Sequence, residues 1–417
     1  MEIHRPRPLP AEAEPALTVV RTLAGDGFRA LLAGGCVRDL LLDRQPADFD
    51  VATSARPEQV SARFRRSRLV GAQFGVVLVP LNGRWIEVAT FRTDGPYADG
   101  RHPTHVQFSD ERHDALRRDF TVNGLFLDPL ADRVLDYVGG LGDLQRRVIR
   151  AIGAAEQRFA EDHLRLIRAV RFAARLDFAV DPDTANAIRD LASNLRTVAA
   201  ARIRDELEKM LSHANRAVAV RLLRDLKLLA HLWPGAEECA ARNSQLDATL
   251  RALPAASRYT SALAVLLAGE SAARIERIGR SLTLSNDDRE SVLWIAAHAA
   301  ALDTPDRLTL ADLKRLMAHP QFPALCQVVA ARRSAEPDEP ARLAALAARV
   351  ASIDPAAVRP PPLVTGDDLL ARRIAPGPLF KRVLDELYTR QLNDELTSRE
   401  AALRALETLL TAEPPAG

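Results

Sequence analysis

At about residue 145 the spacing of apolar residues changes from strand-like alternation to a helical repeat, and it stays helical to the end of the chain. Between residues 28 and 138 the runs FRALLAGG, DFDVAT, FGVVLVPL, RWIEVATF, FTVNGLFLD and RVLDYV are short and β-rich. Turn signals such as Asn82-Gly83 and Asp128-Pro129 separate several of them. Helices are expected at 36–43 and 57–65. Further on, AEDHLRLIRAVRFAARL, DTANAIRDLASNL and ARIRDELEKMLS carry apolar residues three and four apart. The pattern predicts an α+β head with a small β-sheet, followed by an all-helical remainder. Breaks in that remainder fall near Trp233-Pro234-Gly235 and at 334–341 and 354–362.

Within the head, Asp48 and Asp50 flank Phe49 in a β-branched run. Strand side chains alternate between faces, so the two carboxylates point the same way. Like charges so close repel, and each raises the other's pKa. A cation held between them removes that cost. The alternative is a strand ending at the surface, with both groups solvated.

Three other features bear on this choice. Gly34-Gly35 sits between an apolar run and an expected helix that carries Arg38. Such a turn lets backbone N–H groups approach a phosphate, and it also serves as a plain packing turn. Glu87 lies at the centre of RWIEVATF, either facing solvent or as a third ligand for a hard cation such as Mg²⁺. Arg117, Arg118, Asp119 and Asn123 crowd the stretch LRRDFTVNGLFLDP. They would hold phosphates and ribose hydroxyls, or form a solvated ion-pair cluster.

Composition narrows the partners. The chain has 417 residues, enough for two to four domains, and a formal net charge of only +2. A nucleic-acid surface must therefore be a local patch. Nearly all the positive charge is arginine, because only four lysines are present. Three scattered cysteines, Cys36, Cys239 and Cys326, show no zinc spacing and no disulfide framework. No run of about 18 apolar residues occurs, so no membrane span is expected and a cytoplasmic location is the default.

The Gly-Gly turn, Asp-x-Asp and Arg-Arg-Asp-x-x-x-Asn, in this order, resemble the head of the polymerase-β-type nucleotidyltransferase superfamily. More narrowly, GGCVRDLLL, DFDVATSA, VGAQFGVVLV, EVATFRTD, RRDFTVNGL and EDHLRLIRAVRFAARL resemble the class II tRNA nucleotidyltransferase and bacterial poly(A) polymerase family. The departures are small: Cys36 and Gly124 stand where Ala is usual, and His163 where Pro is usual. The resemblance implies a nucleotidyltransferase head over 1–145, a neck with the nucleotide-reading motif over 146–215, a body over 216–335 and an RNA-binding tail over 336–417. It implies Mg²⁺ on Asp48 and Asp50, assisted by Glu87. It implies nucleotide contacts from Gly34, Gly35, Arg38, Arg118, Asp119, Asn123, Asp162, Arg165, Arg168 and Arg171. The implied activity is addition of C and A from CTP and ATP to the 3′ end of tRNA, releasing pyrophosphate.

Base choice follows from hydrogen-bond patterns. Asp162 and Arg165 are three apart, so on a helix they share a face, as an ordinary ion pair or as a base reader. Adenine and cytosine both present an amine donor beside a ring acceptor, which an Asp and an Arg satisfy together. Guanine and uracil reverse the pattern and leave buried groups unpaired, at about 1–3 kcal/mol per group. The segment 91–119 resembles the family's flexible loop, undeleted, which argues against an enzyme limited to CC addition. Gly366-Asp367-Asp368 and Pro376-Gly377-Pro378 are expected to open tail helices, with Arg372, Arg373, Lys381 and Arg382 nearby either for phosphate or on the solvated face of an ordinary capped helix. An A-adding specialist and a poly(A) polymerase share these motifs, and the VGAQFGVV stretch disfavours the second. A non-catalytic RNA-binding protein would not need an intact acidic pair. A small-molecule nucleotidyltransferase would not need the helical tail.

Overall fold

A computed structural model describes residues 2–4, 8–70, 75–96, 104–242, 245–303, 307–334 and 339–412. Parts of three stretches read from the sequence lie outside them: 71–74 of VGAQFGVVLV, 97–103 of the loop region, and 335–338 of the Pro-rich break. The chain divides into two compact units, Met1–Glu237 with Ser281–Thr283, and Glu238–Arg280 with Leu284–Gly417.

The first unit opens with a mixed sheet of eight short strands. Its members are β1 (Glu2–His4), β2 (Ala30–Ala33), β3 (Asp50–Thr53), β4 (Arg68–Leu69), β5 (Val76–Leu81), β6 (Arg84–Thr90), β9 (Leu125–Asp128) and β10 (Arg133–Asp136). Two further strands, β7 (Arg92–Asp94) and β8 (Val106–Phe108), pair only with each other. The sheet order is β1-β10-β9-β2-β3-β6-β5-β4. Every pairing is antiparallel except β3 with β6, where Val51 lies opposite Val88. Asn82 and Gly83, both at positive φ, close the β5–β6 hairpin. This is the turn that the Asn-Gly signal predicts.

Helix α1 (Glu14–Gly25) packs on β2, β3 and β6 through Ala16, Val19, Val20 and Leu23. Their spacing is one helical stripe. It lies upstream of the strands read from the sequence. Phe91 and Phe126 meet edge to face at 6.1 Å inside the cluster of Leu31, Ala33, Ala52 and Leu135.

The expected helices occupy Gly35–Leu41 (α2) and Pro57–Arg63 (α3). One expected strand is shorter than its apolar run. Thr121–Asn123 form a 3₁₀ turn, because Asp119 Oδ1 accepts from the Phe120 N–H at 2.8 Å and from Asn123 Nδ2 at 3.0 Å. Local carboxylate bonds here outcompete the strand ladder. Gly124 follows, and a Cβ there would meet Val138 Cγ2 at 2.7 Å, so glycine at this position is matched by the neighbour's size.

The other helices of the first unit are α4 (Glu111–Leu116), α5 (Gly140–Arg146), α6 (Ala155–Glu161), α7 (Leu164–Leu176), α8 (Pro182–Leu191), α9 (Ala200–Leu211) and α10 (Arg216–Asp225), and Val148–Ile149 pairs in parallel with Ala179–Val180 as a separate two-stranded ribbon. Helix α7 packs on α9 and α10.

The second unit is helical throughout its described residues. Gly366–Leu370, Pro378–Leu392 and Arg399–Ala412 close around Leu369, Val383, Leu387, Leu396 and Leu406. The expected helix starts at Gly366 and Pro378 are present, and Arg372 pairs with Glu407 at 2.6 Å. Among the described residues no helix is long and apolar enough to cross a membrane.

Candidate active site

A cleft of about 630 Å³ opens between the sheet and α7. Gly34, Gly35, Arg38, Asp48, Asp50, Glu87, Arg118, Asp119, Asn123, Asp162, Arg165, Arg168 and Arg171 all line it. Residues separated by more than a hundred positions thus converge on one surface.

The acidic wall comes from the parallel pair. Val51 lies opposite Val88, so one residue earlier Asp50 stands level with Glu87. Glu87 is on the exposed side of β6, between buried Ile86 and Val88. Asp48 lies two residues before the start of β3, in the segment leading into the strand rather than within it. Burial raises Asp50 most, then repulsion from Glu87 and Asp48; Arg118 pulls it back, and the result is about 7. Burial and then Asp48 likewise raise Glu87, against Arg118. Behind them the Cys36 thiol is pushed up to about 12 by burial and by Asp50.

No group of three or more His, Cys, Asp or Glu forms a closed metal cage among the described residues. The donor set is instead an open one of mutually repelling carboxylates. That suits Mg²⁺, which takes one or two carboxylates together with substrate phosphates.

The glycine turn faces this wall. Gly34 has φ +71°, and a Cβ there would meet Arg118 Nη1 at 2.7 Å, so only glycine fits. Arg118 and Arg117 are both held by buried Asp114, at 3.0 and 2.6 Å. Arg118 also lies 4.9 Å from the Phe126 ring centroid. Arg38 does not project into the cleft as a free cation. It is 3% exposed, and its guanidinium donates to Asp39 and to Asn123 Oδ1. Its place is to fix Asn123, which in turn donates to Asp119.

Helix α7 forms the opposite wall. Arg168 donates to Asp119 Oδ2 from Nε at 3.0 Å and from Nη2 at 2.6 Å. Burial alone would raise Asp119, but Arg168, Asn123 and Arg165 together draw it down to about 2. Arg171 donates to Glu206 of α9. The Phe172 ring lies under three guanidinium groups, those of Arg38, Arg168 and Arg171, at 5.3, 5.3 and 4.0 Å.

The expected shared helical face of Asp162 and Arg165 is not present. Asp162 is extended, in the break between α6 and α7. Its carboxylate accepts from Arg202 at 3.2 and 3.0 Å and from the Leu164 N–H at 3.1 Å. Arg165 pairs with Glu161 at 2.6 Å and donates to the Arg158 and Arg117 carbonyls. The two are therefore held apart by separate partners, yet both face the cleft. Three of the five N–H groups of Arg165 are used, and a carboxylate accepts about four bonds, so both keep capacity for a ligand. His163, at the site of the family's Pro, bonds Thr197 Oγ1 at 2.8 Å.

Arg202, Glu206, Glu161 and Asp114 were not singled out from sequence for this site. Asp114 and Glu161 carried a local signal, the three- and four-residue spacing of Asp114 to Arg117 and Arg118 and of Glu161 to Arg158 and Arg165. Arg202 and Glu206 have none toward this site.

Residues 30–150 match the family described as "Poly A polymerase head domain", and residues 177–239 that described as "Probable RNA and SrmB- binding site of polymerase A". A CCA-adding enzyme of Leuconostoc mesenteroides is 33% identical over 399 residues, 94% of this chain and 96% of its own. The chain belongs to the family of CCA-adding enzymes and bacterial poly(A) polymerases. Within this family, the Poly(A) polymerase I of Haemophilus influenzae is 40% identical over 232 residues, 52% of this chain and 51% of its own. The chain spans about half the length of the first curated relatives it matches. The Bacillus stearothermophilus CCA-adding enzyme, solved in complex with CTP, superposes with a TM-score of 0.81 at 31% identity over 97% of this chain and 98% of that one.

Proposed function

We propose that the chain is a cytoplasmic, template-independent nucleotidyltransferase that adds C and A from CTP and ATP to the 3′ end of tRNA, releasing pyrophosphate. The observation that carries this reading is the convergence of the acidic wall, the glycine turn and the Asp162–Arg165 wall on one cleft. Eight arginines and five carboxylates line it, an excess of positive charge that favours a polyanion.

Asp48 and Asp50 would hold Mg²⁺, with Glu87 beside them. Bound there, the ion would neutralise developing charge on the phosphoryl oxygens and lower the pKa of the attacking hydroxyl. Arg118 and the backbone at Gly34 and Gly35 would take the triphosphate. Asn123 and Asp119, fixed by Arg38 and Arg168, would orient the ribose. Asp162 would accept the amine of C or A, and Arg165 would donate to the ring nitrogen beside it. Arg202 and Glu161 hold these two groups at their own positions, which is what a fixed reader needs to reject G and U.

The test is incorporation on three tRNA acceptors, ending before CCA, after C and after CC, each given Mg²⁺ and one labelled NTP. CTP used on the first two and ATP on the third, stopping at CCA, is the expected result. ATP used on the third alone would identify an A-adding specialist. Long A tails would favour the second reading, a poly(A) polymerase, which the Haemophilus influenzae relative keeps open. No incorporation at all would sink the enzymatic reading.

A further inference from the structure

We propose that Trp85, backed by Arg68, is the stacking platform for the 3′-terminal base of the acceptor RNA. This rests on the function proposed above and assigns a place to its second substrate.

Trp85 is 48% exposed, the most exposed of the large aromatic side chains among the described residues. It lies on β6 two residues before Glu87, so alternation puts both on the same face of the sheet. The register extends that face. Leu78 of β5 lies opposite Glu87 and Pro80 opposite Trp85, while Arg68 of β4 lies opposite Leu78. The Arg68 guanidinium sits 4.7 Å from the Trp85 ring centroid. From the acidic wall outward along β6, this face therefore runs from Asp50 and Glu87 to an aromatic ring with a cation above it, flanked on β5 by half-buried Leu78 and Pro80.

Two polyanions have to meet at the carboxylates. The nucleotide side is taken by Gly34, Arg118, Asp119, Asp162 and Arg165, on α2 and around α7. The acceptor's hydroxyl must then reach the carboxylates from another direction, and the β5–β6 face offers one. Its floor is apolar, which suits a base rather than a phosphate. Two strand residues span about 7 Å, roughly the reach from a base to the 3′-hydroxyl of its own ribose. A terminal base on Trp85 thus leaves its ribose hydroxyl near Glu87. Aromatic rings with an arginine beside them bind single-stranded RNA without regard to sequence. That tolerance is required of a platform that must accept the discriminator base, then C, then C again. A solitary exposed aromatic residue needs no explanation. One that continues the face of the acidic wall and carries an arginine over its ring does.

The test uses tRNA whose last residue is 2-aminopurine, bound to the full chain without NTP or metal. Stacking quenches this fluorophore. Wild type should quench it. Trp85→Ala should bind the tRNA within about twofold and lose the quench, and Trp85→Phe should restore part of it. In steady state, Trp85→Ala should lower kcat about tenfold with little change in KM for NTP, and Arg68→Ala should lower it less. An unchanged quench in Trp85→Ala, or a wild-type kcat, would overturn the proposal. Failure of wild type to extend any acceptor would count against the proposed function. The quench, read without nucleotide, would still decide the platform.

Discussion

Asp119 and Arg168, 49 residues apart, are joined by two hydrogen bonds to a single carboxylate oxygen. This pair ties the turn after α4 to the middle of α7, and Asn123 and Arg38 hang from the same carboxylate chain. The arginine row of α7 is therefore tied to that turn by charge, while α9 and α10 hold the helix by packing.

The pair has a pH signature. The Asp119 pKa falls from 3.8 to about 2 on folding. A depressed carboxyl stabilises the fold above its unfolded value, and the benefit is lost as pH falls through the folded one. It amounts to about 2–3 kcal/mol at neutral pH. Asp119→Asn should lower the urea midpoint at pH 7, and the gap to wild type should close between pH 4 and pH 2.

The acidic wall has the opposite sign. Asp50 is raised to about 7, so its charge opposes folding increasingly from about pH 4 and fully above pH 7. Asp50→Asn should melt higher than metal-free wild type at pH 8, and equally at pH 4. The same variant should lose incorporation by about 10²–10³-fold, the scale of removing one preorganised group from a transition state. Binding of tRNA should be unaffected in a filter assay.

Gly34→Ala meets two obstacles, the positive φ and Arg118 Nη1 at 2.7 Å. The strained backbone should cost about 1–3 kcal/mol in thermal unfolding. Displacement of Arg118 should appear separately, as a raised KM for CTP and ATP alike.

On the proposed reading, base discrimination should depend on Arg202 as well as on Asp162. Arg202→Ala frees the Asp162 carboxylate from both of its contacts with the guanidinium. The preference for CTP over UTP, measured as kcat/KM on an acceptor lacking CCA, should fall by the equivalent of about 1–3 kcal/mol. An unaltered ratio would show that Asp162 is held well enough by the Leu164 N–H.

What was legible in the sequence was local. Asp48-x-Asp50, Gly34-Gly35 and Glu87 in its apolar run declared themselves through spacing of two or fewer residues, or through one strand's alternation. The arginine row of α7 came with the family resemblance and not from spacing alone. Asp162 was misplaced because the helical pattern of AEDHLRLIRAVRFAARL runs unbroken through a point where the backbone leaves the helix. Arg202 and Glu206 reach the site from α9, and nothing near them in sequence announces a partner some 40 residues upstream for Arg202 or 35 for Glu206. Arg38 looked like a phosphate ligand because first-turn arginines often are. Only the tertiary fold buries it against Asp39 and Asn123.

The one parallel pairing in the sheet has a consequence for how such chains can diverge. Two parallel neighbours require a crossover, here the whole stretch from Ser54 to Gly83. The distance between Asp50 and Glu87 is set by the ladder joining β3 to β6, whatever the length of chain that returns between them. Insertions, deletions and new side chains can accumulate in the parts of that crossover outside β4 and β5 while the two carboxylates stay where they are. Lineages are thus free to remodel the approach to the acidic wall without disturbing it.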